Sequence, residues 1–332
     1  MNHRPPLAAG SDAGPGASAA KGGVRLSVLV VNWNSRDDLA ACLASLRPQL
    51  CPELEVIVVD NGSHDGSAAL VRESFPWCVL LAEADNLGFA EACNRGIAAS
   101  TGEWVVTLNN DTVVDKGWVQ ALLGAAAQAP RDCGMLQPLL LFQDGGATVN
   151  STGIELTTHG GGRDRGAGAA RGALRAAPEV FCPTAGAAAY RRSMLEAVRL
   201  SCGYFDRHYF MYYEDLDLGW RASLAGWRAR FVPEAVVHHR HHGSSDRHGR
   251  AWLVALARTN RIRTLVKNAS WRFIATTAPY TLSALAEIVW HGGLPAGWRL
   301  LGAVRRSAAA RGEVETLRRL PRREVERRWV RR

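Results

Sequence analysis

Patterned hydrophobicity begins at Leu26. Residues 26–31 are apolar at almost every position, as in a parallel strand buried on both faces. Residues 35–46 then place Leu39, Cys42, Leu43 and Leu46 at helical spacing, and Pro48 closes the helix. A second buried strand is predicted over 56–59, a helix over 66–73, a strand over 78–81, a helix over 89–99 and a strand over 104–108. Strands alternating with helices imply right-handed crossovers and an α/β fold around a mostly parallel sheet. Residues 143–177 are rich in Gly, Ala and Arg and poor in large apolar groups. They read as a long mobile segment, either a flap over a binding site or a passive insertion. Helical character returns over 211–225, a strand pair broken at Pro233 is predicted over 229–237, and the chain from Trp252 onward reads as helical and increasingly basic.

Three regions follow from this pattern. Residues 1–24, mostly Pro, Ala, Gly and Ser, read as a disordered leader without the apolar core of a signal peptide. Residues 25–250 form an α/β domain whose first half is 25–112 and whose second half, 113–250, contains the 143–177 loop. Residues 251–332 form a helical, basic extension. The apolar run 273–286 is interrupted by Pro279 and is shorter than the roughly 20 residues of a membrane span.

Charge changes this picture at one end only. The net charge is +9, but residues 299–332 hold twelve Arg against four Glu, a net of +8. The body is almost neutral, which disfavours a nucleic-acid-binding face and moves the question of an anionic partner to the C-terminal extension. The seven Cys are odd in number, scattered and without C-x-x-C spacing, as expected of reduced thiols in a cytoplasmic protein. No G-x-G-x-x-G follows the first strand and no Gly-x-x-x-x-Gly-Lys occurs, which argues against a dinucleotide-dependent dehydrogenase or a P-loop NTPase.

Candidate chemistry gathers at predicted strand ends, where open α/β sheets collect ligand-binding groups. Asn32-Trp33-Asn34 follows the first strand and Asp60-Asn61-Gly62-Ser63 the second. A Trp face stacks on a nucleobase, while Asp and Asn hydrogen-bond its edge. Asn109-Asn110-Asp111-Thr112 follows the strand 104–108, and an Asp fixed there holds a hard divalent cation. Tyr212-Tyr213-Glu214-Asp215 opens a helix among Phe205, Tyr209, Phe210 and Trp220, a setting for a partly desolvated carboxylate base. In the run from His238 to His242 strand alternation turns neighbouring rings to opposite faces, leaving one metal ligand and the rest solvated. Each cluster alone is equally a turn, a core aromatic or a solvated face.

In order, Val-Asn-Trp-Asn, Val-Asp-Asn-Gly-Ser-x-Asp-Gly-Ser, Asn86-x-Gly88-Phe89-Ala90 with Asn94, Leu-Asn-Asn-Asp-Thr, Gly186-Ala187-Ala188, Tyr-Tyr-Glu-Asp-Leu-Asp and Pro233 with His239 resemble a family-2 inverting glycosyltransferase. The resemblance spans residues 26–245 and is strongest to the rhamnosyltransferase-like branch acting on cell-surface polysaccharides. It implies the GT-A nucleotide-diphospho-sugar transferase fold, a Rossmann-like mostly parallel sheet here carrying a C-terminal helical extension. It further implies a dTDP- or UDP-linked sugar donor and a divalent ion, Mg or Mn. Asn32, Trp33, Asp60, Asn61, Asn86, Gly88, Asn94, Asn109 and Asn110 would then form the donor site, and Asp111 and His239 the metal site. Asp215 would be the base with Glu214 beside it, and Gly186, Ala187, Tyr213 and Trp220 would face the acceptor. The expected acceptor is a saccharide, lipid-linked. The amphipathic helices 252–290 and the arginines after Trp298 suit either docking on an anionic membrane surface, at its cytoplasmic face, or a helical hairpin packed on the catalytic domain with a solvated basic tail. Two departures stand out: Asn61 where many members have a second Asp, and two Asn beside Asp111 where two acids are usual. The second of these leaves a nucleotide-sugar-binding module without turnover as the competing reading.

Overall fold

The computed structural model describes residues 25–175, 177–240 and 249–331. The predicted leader and His241 and His242 lie outside them. The first half runs β1 (Leu26–Asn32), α1 (Arg36–Leu46), β2 (Leu54–Asn61), α2 (Ser67–Ser74), β3 (Val79–Glu83), α3 (Phe89–Ala99), β4 (Trp104–Asn109) and β5 (Thr112–Val114). Strand β1 pairs in parallel with β2 and β4, and β2 with β3. Its side chains alternate between two cores: Val28 and Val30 pack with Leu39, Cys42 and Leu43 of α1, while Leu29 packs with Cys93 and Ile97 of α3. Both faces are covered, which is why the strand is apolar throughout.

The second half begins with α4 (Trp118–Ala127) and β6 (Cys133–Phe142), followed by β7 (Val149–Ser151), β8 (Ile154–Thr157), β9 (Gly162–Asp164), β10 (Glu179–Val180) and β11 (Ala187–Arg191). Next come α5 (Arg192–Ala197), α6 (Glu214–Leu224) and β12 (Arg228–His239). The sheet order is β10-β12-β6-β11-β4-β1-β2-β3, with β5 against β12 and β7 against β6. The parallel half is as the alternation predicts, but β11 runs antiparallel to both β4 and β6, so the sheet is mixed.

Two expectations are corrected here. Residues 143–177 are not a structureless loop: β7 extends the main sheet, and β8 and β9 form a hairpin that also pairs with β13 (Val330–Arg331). These strands are three or four residues long and are anchored by Val149, Ile154 and Leu156, too few apolar side chains to show as a pattern. The strand pair at Pro233 is instead one twelve-residue strand, β12, whose register against β6 slips between Val232 and Val236. Pro233 sits in that bulge, where its missing N–H interrupts no ladder.

The C-terminal helices are α7 (Arg250–Asn268), α8 (Trp271–Thr276), α9 (Ala278–Leu317) and α10 (Arg322–Trp329). Helix α9 is not straight. Thr281 lies against Arg261, and Arg311 donates to the Val266 and Ala269 carbonyls on the next turns of α7. In a straight helix those 30 residues would span about 45 Å. The helix therefore doubles back, which also brings Gly297 beside Val289. The basic tail is paired in part, Arg322 and Arg318 with Glu315 inside the tail and Arg328 with Glu179 of the domain, while Arg299, Arg305, Arg306, Arg319, Arg323 and Arg327 are exposed.

Helix α7 reaches the second half of the domain through a buried ionic cluster. Lys267 Nζ lies 2.6 Å from Asp206 and 3.1 Å from Asp217, which also pairs with Arg221. Burial alone would raise the Asp206 carboxyl, but His208, Lys267 and Arg263 hold it well below the usual range.

Candidate active site

Register decides what meets at the carboxyl edge of the sheet. Asn32 is level with Asp60 on β2, and Val31 with Asn109 on β4. The Asn109 N–H donates to the Gly186 carbonyl (2.9 Å), which carries the edge across to β11. On the far side His239 pairs with Thr112, and the Arg240 N–H donates to the Asp111 carbonyl (3.0 Å). These ends open on a cleft of about 610 Å³, lined among others by Trp33, Asn61, Asp111, Gly186, Asp215 and His239.

The donor-side residues divide into a wall and a support beneath it. Trp33, Asn61, Asn86, Gly88, Asn109 and Asn110 line the cleft. Asn32 and Asp60 lie under them, fully or almost fully buried. The Asn32 amide donates to Asp60 (3.1 Å) and Ser63 (3.2 Å), and its oxygen accepts from Asn110 (2.7 Å). Asn61 holds the next loop: its amide donates to Asn86 (2.9 Å), and its oxygen accepts from the Leu87 N–H (2.9 Å). That pairing fixes which end of the amide is which, something composition leaves open. Gly88 has φ +81°, and a Cβ there would lie 2.5 Å from the Phe210 ring, so only glycine fits.

Three predicted contacts are not made. Asn94 is not part of the cleft wall; its amide donates to the Phe205 carbonyl (2.8 Å) and its oxygen accepts from the Phe205 N–H (3.0 Å), tying α3 to the segment before α6. Ala187 is fully buried against the α1–α4 core, unlike its neighbour Gly186. Trp220 is fully buried edge-on to Phe181 and Phe273 and belongs to the core, not to the acceptor wall. Tyr213 does line the cleft.

At the opposite wall, Asp111 Oδ1 is 3.1 Å from His239 Nε2. His239 Nδ1 is 3.1 Å from Asn150 Oδ1, an acceptor that orients the ring with Nε2 toward Asp111. Nε2 and the carboxylate lie close enough to pair directly or to hold one cation together. One carboxylate, one oriented imidazole and neighbouring amides therefore fit a hard divalent ion whose remaining ligands come from elsewhere. His238 faces away and pairs with Asp115 (2.9 Å), so it is not merely solvated. Among the described residues Cys202, Asp206 and His208 also bring ligating atoms together, but the Lys267 ammonium already fills that place with positive charge.

Asp215 sits in the first turn of α6, half-buried. Its carboxylate accepts from the Ala185 N–H (3.0 Å) and the Leu216 N–H (2.7 Å). Burial, joined by the charge of Asp164, outweighs those donors and pushes it up to about 6. Glu214 is 5% exposed, and its Oε2 has no hydrogen-bond partner. Burial and the Asp215 charge drive its carboxyl well above the ordinary value. Sequence reasoning missed Asn150, Arg163 and Asp164, which the 143–177 segment delivers to the cleft, and Leu253, Val254 and Ala257 of α7, which close one side of it. None of these lies in a strand-end cluster; only the length of the insertion signalled them.

A cleft at the carboxyl edge of this sheet is the arrangement of the GT-A fold of nucleotide-sugar transferases. Mannosyltransferase PcManGT from Pyrobaculum calidifontis, in complex with GDP-Man and Mn2+, matches with TM-score 0.53 at 18% identity, covering 93% of this chain and 88% of that one. GalNAc-T7 with UDP, GalNAc and Mn2+ matches with TM-score 0.56 at 14% identity, covering 74% of this chain and 48% of that one. These likenesses concern the fold. A family profile described as Glycosyl transferase family 2 matches residues 27–199. An N-acetylglucosaminyl-diphospho-decaprenol L-rhamnosyltransferase of Mycobacterium tuberculosis is 32% identical over 277 residues, 74% of this chain and 86% of that protein. The chain belongs to glycosyltransferase family 2 and is a glycosyltransferase.

Proposed function

We propose that this enzyme transfers a sugar, L-rhamnose in our reading, with inversion from a dTDP- or UDP-linked donor to a saccharide carried on a polyprenyl diphosphate. The observation that carries the reading is one cleft holding an aromatic-and-amide nucleotide wall, a carboxylate–imidazole pair, and an Asp raised to about 6. The similarity to the mycobacterial rhamnosyltransferase supports the choice of sugar and acceptor. Trp33 stacks on the base, and Asn61 with Asn86 shapes the pocket beside it. Asp111 and His239 hold a divalent ion, Mg or Mn; when bound, it offsets the charge of the departing nucleoside diphosphate. Asp215 accepts the acceptor hydroxyl proton as that oxygen attacks the anomeric carbon, and the bond to the diphosphate breaks on the opposite face. The binding module without turnover is set aside, because the family and the similar protein are transferases.

A panel of nucleotide sugars, read by thermal shift with and without manganese and then by transfer to polyprenyl-diphosphate-linked GlcNAc, tests this. Stabilisation by dTDP-rhamnose with metal, followed by transfer, is expected. Stabilisation by a different donor with no transfer to any lipid-linked saccharide would refute the substrate assignment.

The exposed aromatics favour a membrane-surface location. Trp290 and Trp298 are 86% and 72% exposed and flank the bend of α9, next to exposed Leu301, Arg299, Arg305 and Arg306. No helix among the described residues is long and apolar enough to cross a membrane. Amphipathic aromatics beside arginines suit the headgroup layer of an anionic bilayer. Replacing Trp290 and Trp298 by Ala is expected to weaken sedimentation with phosphatidylglycerol vesicles ~10-fold, the equivalent of about 1.4 kcal/mol. Binding that ignores the two Trp, anionic lipid and salt would remove the membrane from the account.

A further inference from the structure

We propose that Asn260, on α7 and outside every motif of the catalytic domain, is a positioning residue that holds the segment carrying Asp215 in its working conformation. The segment before α6 is strained. Phe210, Tyr212 and Tyr213 have φ of +64°, +66° and +72°, values that side chains with a Cβ disfavour. Asp215 comes two residues after the last of them, so the path of this bend sets where its carboxylate lies.

Asn260 is fully buried. Its side-chain amide nitrogen lies 2.9 Å from the Tyr209 carbonyl oxygen, 2.9 Å from that of Met211 and 3.0 Å from that of Tyr212. One donor group thus gathers carbonyls from across the bend. Its oxygen accepts from Arg263 (3.2 Å), which also donates to the His208 carbonyl. The same turns of α7 add Thr264, whose hydroxyl bonds Tyr209 Oη at 2.8 Å. On its other side the bend meets the donor wall: the Phe210 carbonyl accepts from the Ala90 N–H (3.1 Å), and the Phe210 ring fills the space left by Gly88. Asn260 therefore fixes the bend relative to the nucleotide wall and the base at once. Strained backbone persists only when its surroundings over-determine it. Removing the amide lets the bend relax toward ordinary φ and draws Asp215 away from the Ala185 N–H.

The inference rests on Asp215 being the base. A displacement of about 1 Å at a reacting group lowers rate by ~100-fold, so Asn260→Ala is expected to lower kcat ~30- to 100-fold. The donor KM and the affinity for the nucleoside diphosphate, dTDP or UDP, should stay within about 3-fold, because most of the nucleotide wall, Trp33, Asn61, Asn109 and Asn110, stands at the ends of β1, β2 and β4. Coupling separates positioning from general support: in an Asp215→Asn background, Asn260→Ala should lower the residual rate by no more than about 2-fold. Wild-type kcat in Asn260→Ala, an undiminished effect in the Asp215→Asn background, or equal loss of nucleotide affinity and kcat would each overturn the proposal. Should Asn260→Ala fail to fold, Asn260→Ser, which keeps one donor, is read by the same criteria and is expected to retain more kcat than the alanine variant predicts. Failure of both to bind nucleotide counts against a positioning role. Undiminished turnover in Asp215→Asn alone would instead refute the base assignment, a separate result.

Discussion

Asp215→Asn is expected to lower sugar transfer ~100- to 10,000-fold, the usual worth of general-base help, while nucleotide affinity in the presence of metal persists. The amide is nearly isosteric, and its one oxygen can accept from either the Leu216 N–H or the Ala185 N–H, though not from both. What is lost is the ability to take a proton. The donor wall of Trp33, Asn61 and Asn86 stands on other elements, so binding and turnover should separate cleanly. Normal turnover would remove Asp215 from the mechanism. The neighbouring Glu214 is a poor substitute, being almost fully buried with its carboxyl driven well above the ordinary value.

Asp111→Ala should act on the other half of the reaction. With its 3.1 Å contact to His239 gone, the site keeps one imidazole and amides, a poor set for a hard cation. Loss of the only carboxylate ligand is expected to weaken manganese-dependent binding of the nucleoside diphosphate by at least ~100-fold, more than the 10- to 100-fold of outer-shell changes. Titration calorimetry with and without manganese reads this directly. Metal dependence identical to that of the native enzyme would contradict the assignment of Asp111, whatever happens to turnover.

The first half of the fold was legible because its elements are simple. β1, β2 and β4 are mostly apolar on both faces, and the polar residues at their carboxyl ends, Asn32, Asp60, Asn61 and Asn109, fall at the edge that forms the cleft. Sequence adjacency misled where side-chain direction mattered. Trp220 stands five residues beyond Asp215 on α6, about 140° around the helix, and so points into the core instead of the cleft. Asn94 lies within the same motif as Gly88 but faces the 203–205 backbone. Asn150 and Asp164 were invisible because three-residue strands held by main-chain pairing leave no periodicity. Asn260 looks like any polar residue in an amphipathic helix; only the three carbonyls converging on it give it a role.

The central claim is that Asp215, raised by burial and by Asp164, is the group whose ionisation permits transfer, and the pH dependence of kcat/KM tests it most directly. A carboxyl raised to about 6 is protonated, and unable to accept a proton, below that pH. kcat/KM should therefore climb tenfold per pH unit up to about 6 and level off above it, and this limb should vanish from the residual activity of Asp215→Asn. A profile flat down to about pH 4, where an ordinary carboxylate titrates, or a limb that survives in Asp215→Asn, would contradict the account.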